Sequence, residues 1–143
     1  MLLECGVIRT TPSAPLPERL RQIHEGLGDV IERHRPQIMA VEDIFYGKNV
    51  RTTVLLGHTR GAVLLAAALR DLPVADYSPA EVKNSIVGTG RATKAQVQFM
   101  VKKLLRLRAV PSPSDAADGV AAALCHINTA RFGDLARRAV GTP

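Results

Sequence analysis

The spacing of apolar residues changes several times along the chain. Residues 2–9 form a short, mostly apolar run and predict a strand. Threonine, serine and proline crowd residues 10–17, which predicts a loop. From Leu16 the apolar residues Leu20, Ile23, Leu27, Val30 and Ile31 recur at helical spacing, and Pro36 ends the pattern. Ile38, Met39, Ala40 and Val41 are bounded by proline and acids. They predict a buried strand over residues 37–42, in a sheet covered on both faces. Residues 50–70 are small and aliphatic and predict a long helix, on which Gly57 and Gly61 leave one face open to another helix.

Residues 72–77 predict a further strand. Ser78-Pro79-Ala80-Glu81 is a capping box with proline at the first helical position, so a helix starts there and Gly88-Thr89-Gly90 breaks it. Thr93-Lys94-Ala95-Gln96 is a second capping box, opening a helix to about Leu107. Pro111-Ser112-Pro113-Ser114 predicts a loop with Ser114 as the N-cap of a last helix, from Asp115 to about Arg131. This order predicts an α/β domain over residues 1–131, its sheet partly parallel, followed by a basic tail over 132–143. The three predicted strands are few for a sheet covered on both faces, which points to missing strands.

Charge adds a partner class. Nineteen Lys and Arg against thirteen Asp and Glu give +6 and a pI near 9.9. Such a domain suits a polyanion, although a solvated basic surface gives the same total. Cys5 and Cys125 lie far apart with no C-x-x-C, and read as reduced packing residues in a cytoplasmic protein. No apolar run reaches the ~18 residues of a membrane span. Residues 1–4 lack the features of a signal peptide. Gly88-x-Gly90 fits neither a dinucleotide-binding loop nor a P-loop. His24, His34, His58 and His126 have no zinc spacing, and no G-x-S-x-G or Cys-His nucleophile pattern occurs.

Three carboxylates have the right kind of placement for metal-assisted phosphodiester chemistry. Glu42 ends a predicted buried strand, where open α/β sheets place their ligands. Asp115 and Asp118 are three apart at the start of a helix and share a face. Hard oxygen donors of this kind hold magnesium, which activates water and stabilises a leaving oxygen. The ordinary alternatives are an aspartate complementing a helix dipole and a solvated glutamate. Asp43 points to the opposite face by strand alternation.

Basic and aromatic residues flank these acids. Lys94 stands in a first helical turn and Lys83 early in the preceding helix, both against the dipole; a bound phosphate would reverse that cost. Arg91 lies just before Lys94. Phe45 and Tyr46 follow Glu42 in a segment that continues to Lys48, Asn49 and Arg51, a combination suited to stacking on unpaired bases. Folding of Phe45 onto the core is the plain alternative.

Taken in order, residues 39–49, 56–61, 82–90, 94–98 and 114–118 resemble the RuvC family of Holliday-junction resolvases. The resemblance covers nearly the whole chain. It implies a ribonuclease-H-like fold: a mixed sheet flanked by helices. It also implies a homodimeric, magnesium-dependent endonuclease that nicks two opposed strands of a four-way DNA junction in recombination and repair. Two metal ions per active site, and the branch-migration proteins RuvA and RuvB as partners, belong to the same expectation. Glu42, Asp115 and Asp118 match three of the family's four metal-binding positions. Lys83 and Lys94 match cleft residues, Phe45 the base-stacking aromatic, and the helix around Gly57 and Gly61 the dimer helix.

One departure bears on activity. The family opens with a strand reading like Gly-Ile-Asp-Pro-Gly, whose aspartate is the first ligand, and residues 2–10 match its third strand instead. On this reading the first two strands are absent, either through a start assigned too far downstream or in a genuine fragment. Glu4, on a different strand, is no substitute. The expected consequence is weak metal binding and poor stability, and the rival function is a junction-binding fragment that does not cut.

Overall fold

The computed structural model describes residues 1–44 and 49–139, with side chains described through Arg131. Five helices and two strands follow in the order α1 (Leu16–His34), β1 (Met39–Glu42), α2 (Val50–Ala68), β2 (Val74–Tyr77), α3 (Pro79–Val87), α4 (Lys94–Leu104) and α5 (Ser114–Ala139). β1 and β2 pair as a two-stranded parallel sheet joined through α2. The chain divides into two compact units, one of residues 1–6, 40–42 and 77–143, the other of residues 7–39 and 43–76.

In the second unit α1 presents Leu27 and Ile31 to Ala67, Leu72, Met39 and Val74. Its outer face carries the exposed pairs Arg21–Glu18 at 2.6 Å and Arg21–Glu25 at 2.7 Å. The helix stops where Arg35 turns left-handed, at φ 44°, and returns its N–H to Ile31, one residue before Pro36. Arg70 lies across α1 at Gly28, bonded to Glu32 at 2.8 Å and to the Ala66 carbonyl at 3.3 Å. A Cβ at Gly28 would stand 2.3 Å from that guanidinium, so a larger residue there would push the Arg70 side chain aside.

The first unit is built on α3, α4 and α5. Val82, Ile86, Ala92, Val97, Val101, Val120, Ala121 and Cys125 are buried together, with Leu2, Tyr77 and Leu124 packed against them. Both predicted capping boxes form: Ser78 with Glu81 opens α3, and Thr93 with Gln96 opens α4. Gly88 ends α3 at φ 86°, in the left-handed region that glycine tolerates. Tyr77 Oη and His126 Nδ1 lie 2.8 Å apart, and the Asn128 amide donates to Ser85 Oγ at 3.2 Å, tying α5 to β2 and α3.

Several expectations need correction. Residues 2–9 form no strand. A strand requires a neighbour for its N–H and C=O groups, and the described contacts of this run are side-chain packing. Leu2 packs on the first unit's core and Ile8 against Gly26 of α1, while Met1, Leu3 and Val7 stay exposed. The sheet among the described residues therefore has two strands rather than three. α4 ends at Leu104 because Arg106 turns left-handed at φ 53°. Helix α5 continues to Ala139, beyond the expected end near Arg131. Ser114 lies inside α5 rather than before it, and its hydroxyl donates to Asp115 Oδ1 at 3.4 Å. The face of α2 carrying Gly57 and Gly61 needs no such correction: it is open, with nothing within 4 Å of either Cβ position.

Candidate nuclease site

β1 delivers Glu42 at its last residue, while Asp43 turns away to Arg60, 3.8 Å distant, as strand alternation requires. Arg60 also pairs with Asp76. The Glu42 carboxylate enters a hollow of about 230 Å³ in the first unit. Its charged lining is Glu42, Lys83, Lys94 and Asp118, over an apolar floor of Pro79, Val82, Val97 and Ala121. The floor explains the precision of the site. Val82 and Val97 are core residues of α3 and α4, so Lys83 next to Val82 and Lys94 three before Val97 are carried on packed helices.

Lys94, the first residue of α4, reaches α5. Its ammonium donates to Asp118 Oδ2 at 2.8 Å and to Asp115 Oδ1 at 3.2 Å. Asp118 and Asp115 face the same way because they are one helical turn apart. Asp118 is about a third exposed and Asp115 largely exposed, at 37% and 77%. The hydrogen bond to Asp118, then that to Asp115, raises the Lys94 pKa above its ordinary value. This offsets the unfavourable position of a cation at a helix N-terminus.

Glu42 is pushed the other way. Partial burial raises its pKa first, the Asp118 charge raises it further, and Lys83 and Lys94 pull it back down. Repulsion between two carboxylates and attraction to two ammonium groups thus meet at one place. The oxygen donors fit a hard divalent cation in kind, because each added positive charge relieves the Glu42–Asp118 repulsion. Among the described residues, no three His, Cys, Asp or Glu side chains stand close enough together to hold one ion. Asp115 reaches the group through Lys94 rather than as part of the lining.

Arg91 is exposed and absent from the lining, its backbone N–H donating to Thr89 Oγ1 at 3.3 Å. Phe45 and Lys48 lie outside the described residues. The Lys94–aspartate pairs were not foreseen; the only signal was a lysine opening a helix against the dipole, which equally suits a phosphate. A larger hollow of about 480 Å³ lies in the second unit, beside Ile31, Arg70 and Leu72, where Arg70 is already paired with Glu32.

The relative from Pelotomaculum thermopropionicum, a crossover junction endodeoxyribonuclease RuvC, is 51% identical over 125 residues, which are 87% of this chain and 76% of that protein. The protein of the same description from Desulforamulus reducens is 50% identical over 119 residues, 83% of this chain and 73% of its own. Among solved structures, Thermus thermophilus RuvC in complex with a Holliday junction substrate superposes with a TM-score of 0.86 at 39% identity. It covers 92% of this chain and 79% of its own. The fold is accordingly the ribonuclease-H-like α/β fold of those structures. The family described as crossover junction endodeoxyribonuclease RuvC matches residues 1–126, and this chain belongs to that enzyme family.

Proposed function

We propose that the protein resolves four-way DNA junctions by paired, symmetric nicks, as a magnesium-dependent endonuclease acting in recombination and repair. The observation that carries this reading is the meeting of Glu42, Asp118, Lys83 and Lys94 at one hollow, in a chain of this family. Glu42, Asp115 and Asp118 would hold the metal ions. Bound magnesium supplies an activated water and charge neutralisation for phosphodiester hydrolysis. The chain's own residues do the rest. Lys83 and Lys94 neutralise backbone phosphates and set the strand's position over the carboxylates. Arg91 and Lys48 extend that contact, and Phe45 stacks on a base at the junction centre.

Paired cutting requires two copies. Val50, Val54, Leu55, Leu56, Leu65 and Leu69 of α2 and its end are exposed, an apolar surface that supports a homodimer through this helix. The family resemblance also supplies RuvA and RuvB as partners and the cytoplasm as location. No described helix is long and apolar enough to cross a membrane.

A second reading, a fragment that binds junctions without cutting, is favoured by one observation: no three metal-binding groups converge among the described residues. A magnesium-dependent assay on a synthetic four-way junction, with linear duplex as control and binding followed in parallel, decides between them. Symmetric cutting of the junction alone supports the nuclease. Junction-selective binding without nicks supports the fragment, and equal binding to duplex and junction contradicts both.

A further inference from the structure

The far end of α4 carries charge of one sign. Lys102 and Lys103 stand in its last turn, and Arg106 and Arg108 follow. No acid occurs from residue 97 to residue 114. Hydrogen bonds fold these residues together. The Arg106 N–H donates to the Lys103 carbonyl at 3.2 Å and the Leu107 N–H to the Lys102 carbonyl at 2.9 Å, with Arg106 left-handed at φ 53°. The base beneath them is packed, because Val101 is fully buried and Leu105 lies against the first unit's core. Lys103, Arg106 and Arg108 are exposed, and Lys102 is partly buried. Lys103 Nζ lies 5.4 Å from the centre of the Phe99 ring, which is itself exposed at 54%.

This end of the helix differs from the hollow, where Lys94 is bonded to Asp115 and Asp118. Among the described residues, none of the four cations pairs with a carboxylate. Complementing the helix dipole accounts for Lys102 and Lys103, which end the helix, but not for Arg106 and Arg108, which lie past it. Four cations so close repel one another, and a polyanion relieves that repulsion. The length of α4 sets this ridge about 15 Å from the backbone of Lys94, so it is no part of the hollow.

We propose that Lys102, Lys103, Arg106 and Arg108 form a second DNA surface, which grips the phosphate backbone of a duplex arm outside the hollow. The inference rests on the junction reading given above and adds a binding site to it. Lysine and arginine neutralise phosphates whatever the sequence or shape of the DNA. The ridge therefore adds affinity for any duplex, and the choice of a junction over linear duplex is made elsewhere.

The test is fluorescence anisotropy of the whole chain with a labelled four-way junction and with linear duplex, over a range of salt and without magnesium, so that neither is cut. The wild type is compared with three paired variants: K102Q with K103Q, R106Q with R108Q, and R106K with R108K. Each glutamine pair is expected to weaken binding to both DNAs by the same factor, roughly tenfold in dilute salt, and to make the log–log salt slope shallower by about two. The lysine pair keeps its charge and should bind like the wild type. Glutamine pairs that bind both DNAs as tightly as the wild type overturn the proposal and leave the junction reading standing; a surface for an acidic protein segment would give that result. Loss on the junction alone also overturns it, since the ridge would then lie at the branch point. A wild-type chain that binds neither DNA overturns the junction reading and the ridge with it. Circular dichroism establishes that each variant is folded. One glutamine pair lies within α4 and the other beyond it, so either tests the ridge should the other unfold.

Discussion

The two compact units place their apolar residues differently. The unit holding α3, α4 and α5 buries eight residues in one cluster, among them Val101 and Cys125 with no exposure at all. The unit holding α1 and α2 buries Ile31, Ala67 and Leu72 in its cluster and leaves Leu65 and Leu69 more than half exposed. The charged hollow belongs to the first, where packed helices hold lysines and aspartates in register. The second keeps an apolar face on its outside. A unit with a large buried cluster can fix chemistry, and one whose long helix exposes apolar residues is suited to association.

The largest effect expected from this contrast is on chemistry with little effect on folding. Asp118→Asn should lower junction cutting on the order of 10³-fold or more and leave the denaturant midpoint nearly unchanged, because Asp118 is outside the core cluster. A large loss of stability would show that the aspartate is structural. In the core, Val101→Ala should cost about 2 kcal/mol in urea unfolding, and amides of α3 and α4 should exchange more slowly than those of α1 and α2. Uniform exchange across both units would erase the contrast.

On the second unit, Leu65→Lys should shift the chain toward monomer in sedimentation with little change in unfolding. An unchanged sedimentation coefficient would place the association elsewhere. The smallest effects concern the caps. Ser78→Ala should cost about 1 kcal/mol. The Ser78 hydroxyl and N–H hold the Glu81 pKa below the ordinary carboxylate value. Its contribution is therefore fully present above the ordinary glutamate pKa and is lost as pH falls through the lowered one. Acid titration of Glu81→Gln should lack that component.

The sequence disclosed helices and caps better than sheet. Ser78–Glu81 and Thr93–Gln96 form as expected because a capping box is completed within four residues. Residues 2–9 looked like a strand from composition alone, but pairing depends on a distant partner that local pattern does not contain. The same limit applies to the site. Spacing relates Asp115 to Asp118 on one helix face but relates neither of them to Glu42. Only the packing of α3, α4 and α5 sets Asp118 and Lys83 in one hollow with Glu42, and only side-chain reach shows Lys94 taking both aspartates. Arg91, close to Lys94 in sequence, lies outside the lining because it precedes the helix that aims Lys94.

The most direct test of the central claim compares the wild-type chain with Glu42→Gln on a synthetic four-way junction in magnesium, following nicking and binding together. The nuclease account predicts symmetric nicks from the wild type, and none from E42Q at undiminished junction affinity. Equal nicking by both chains would remove Glu42, and with it the hollow it lines, from the mechanism.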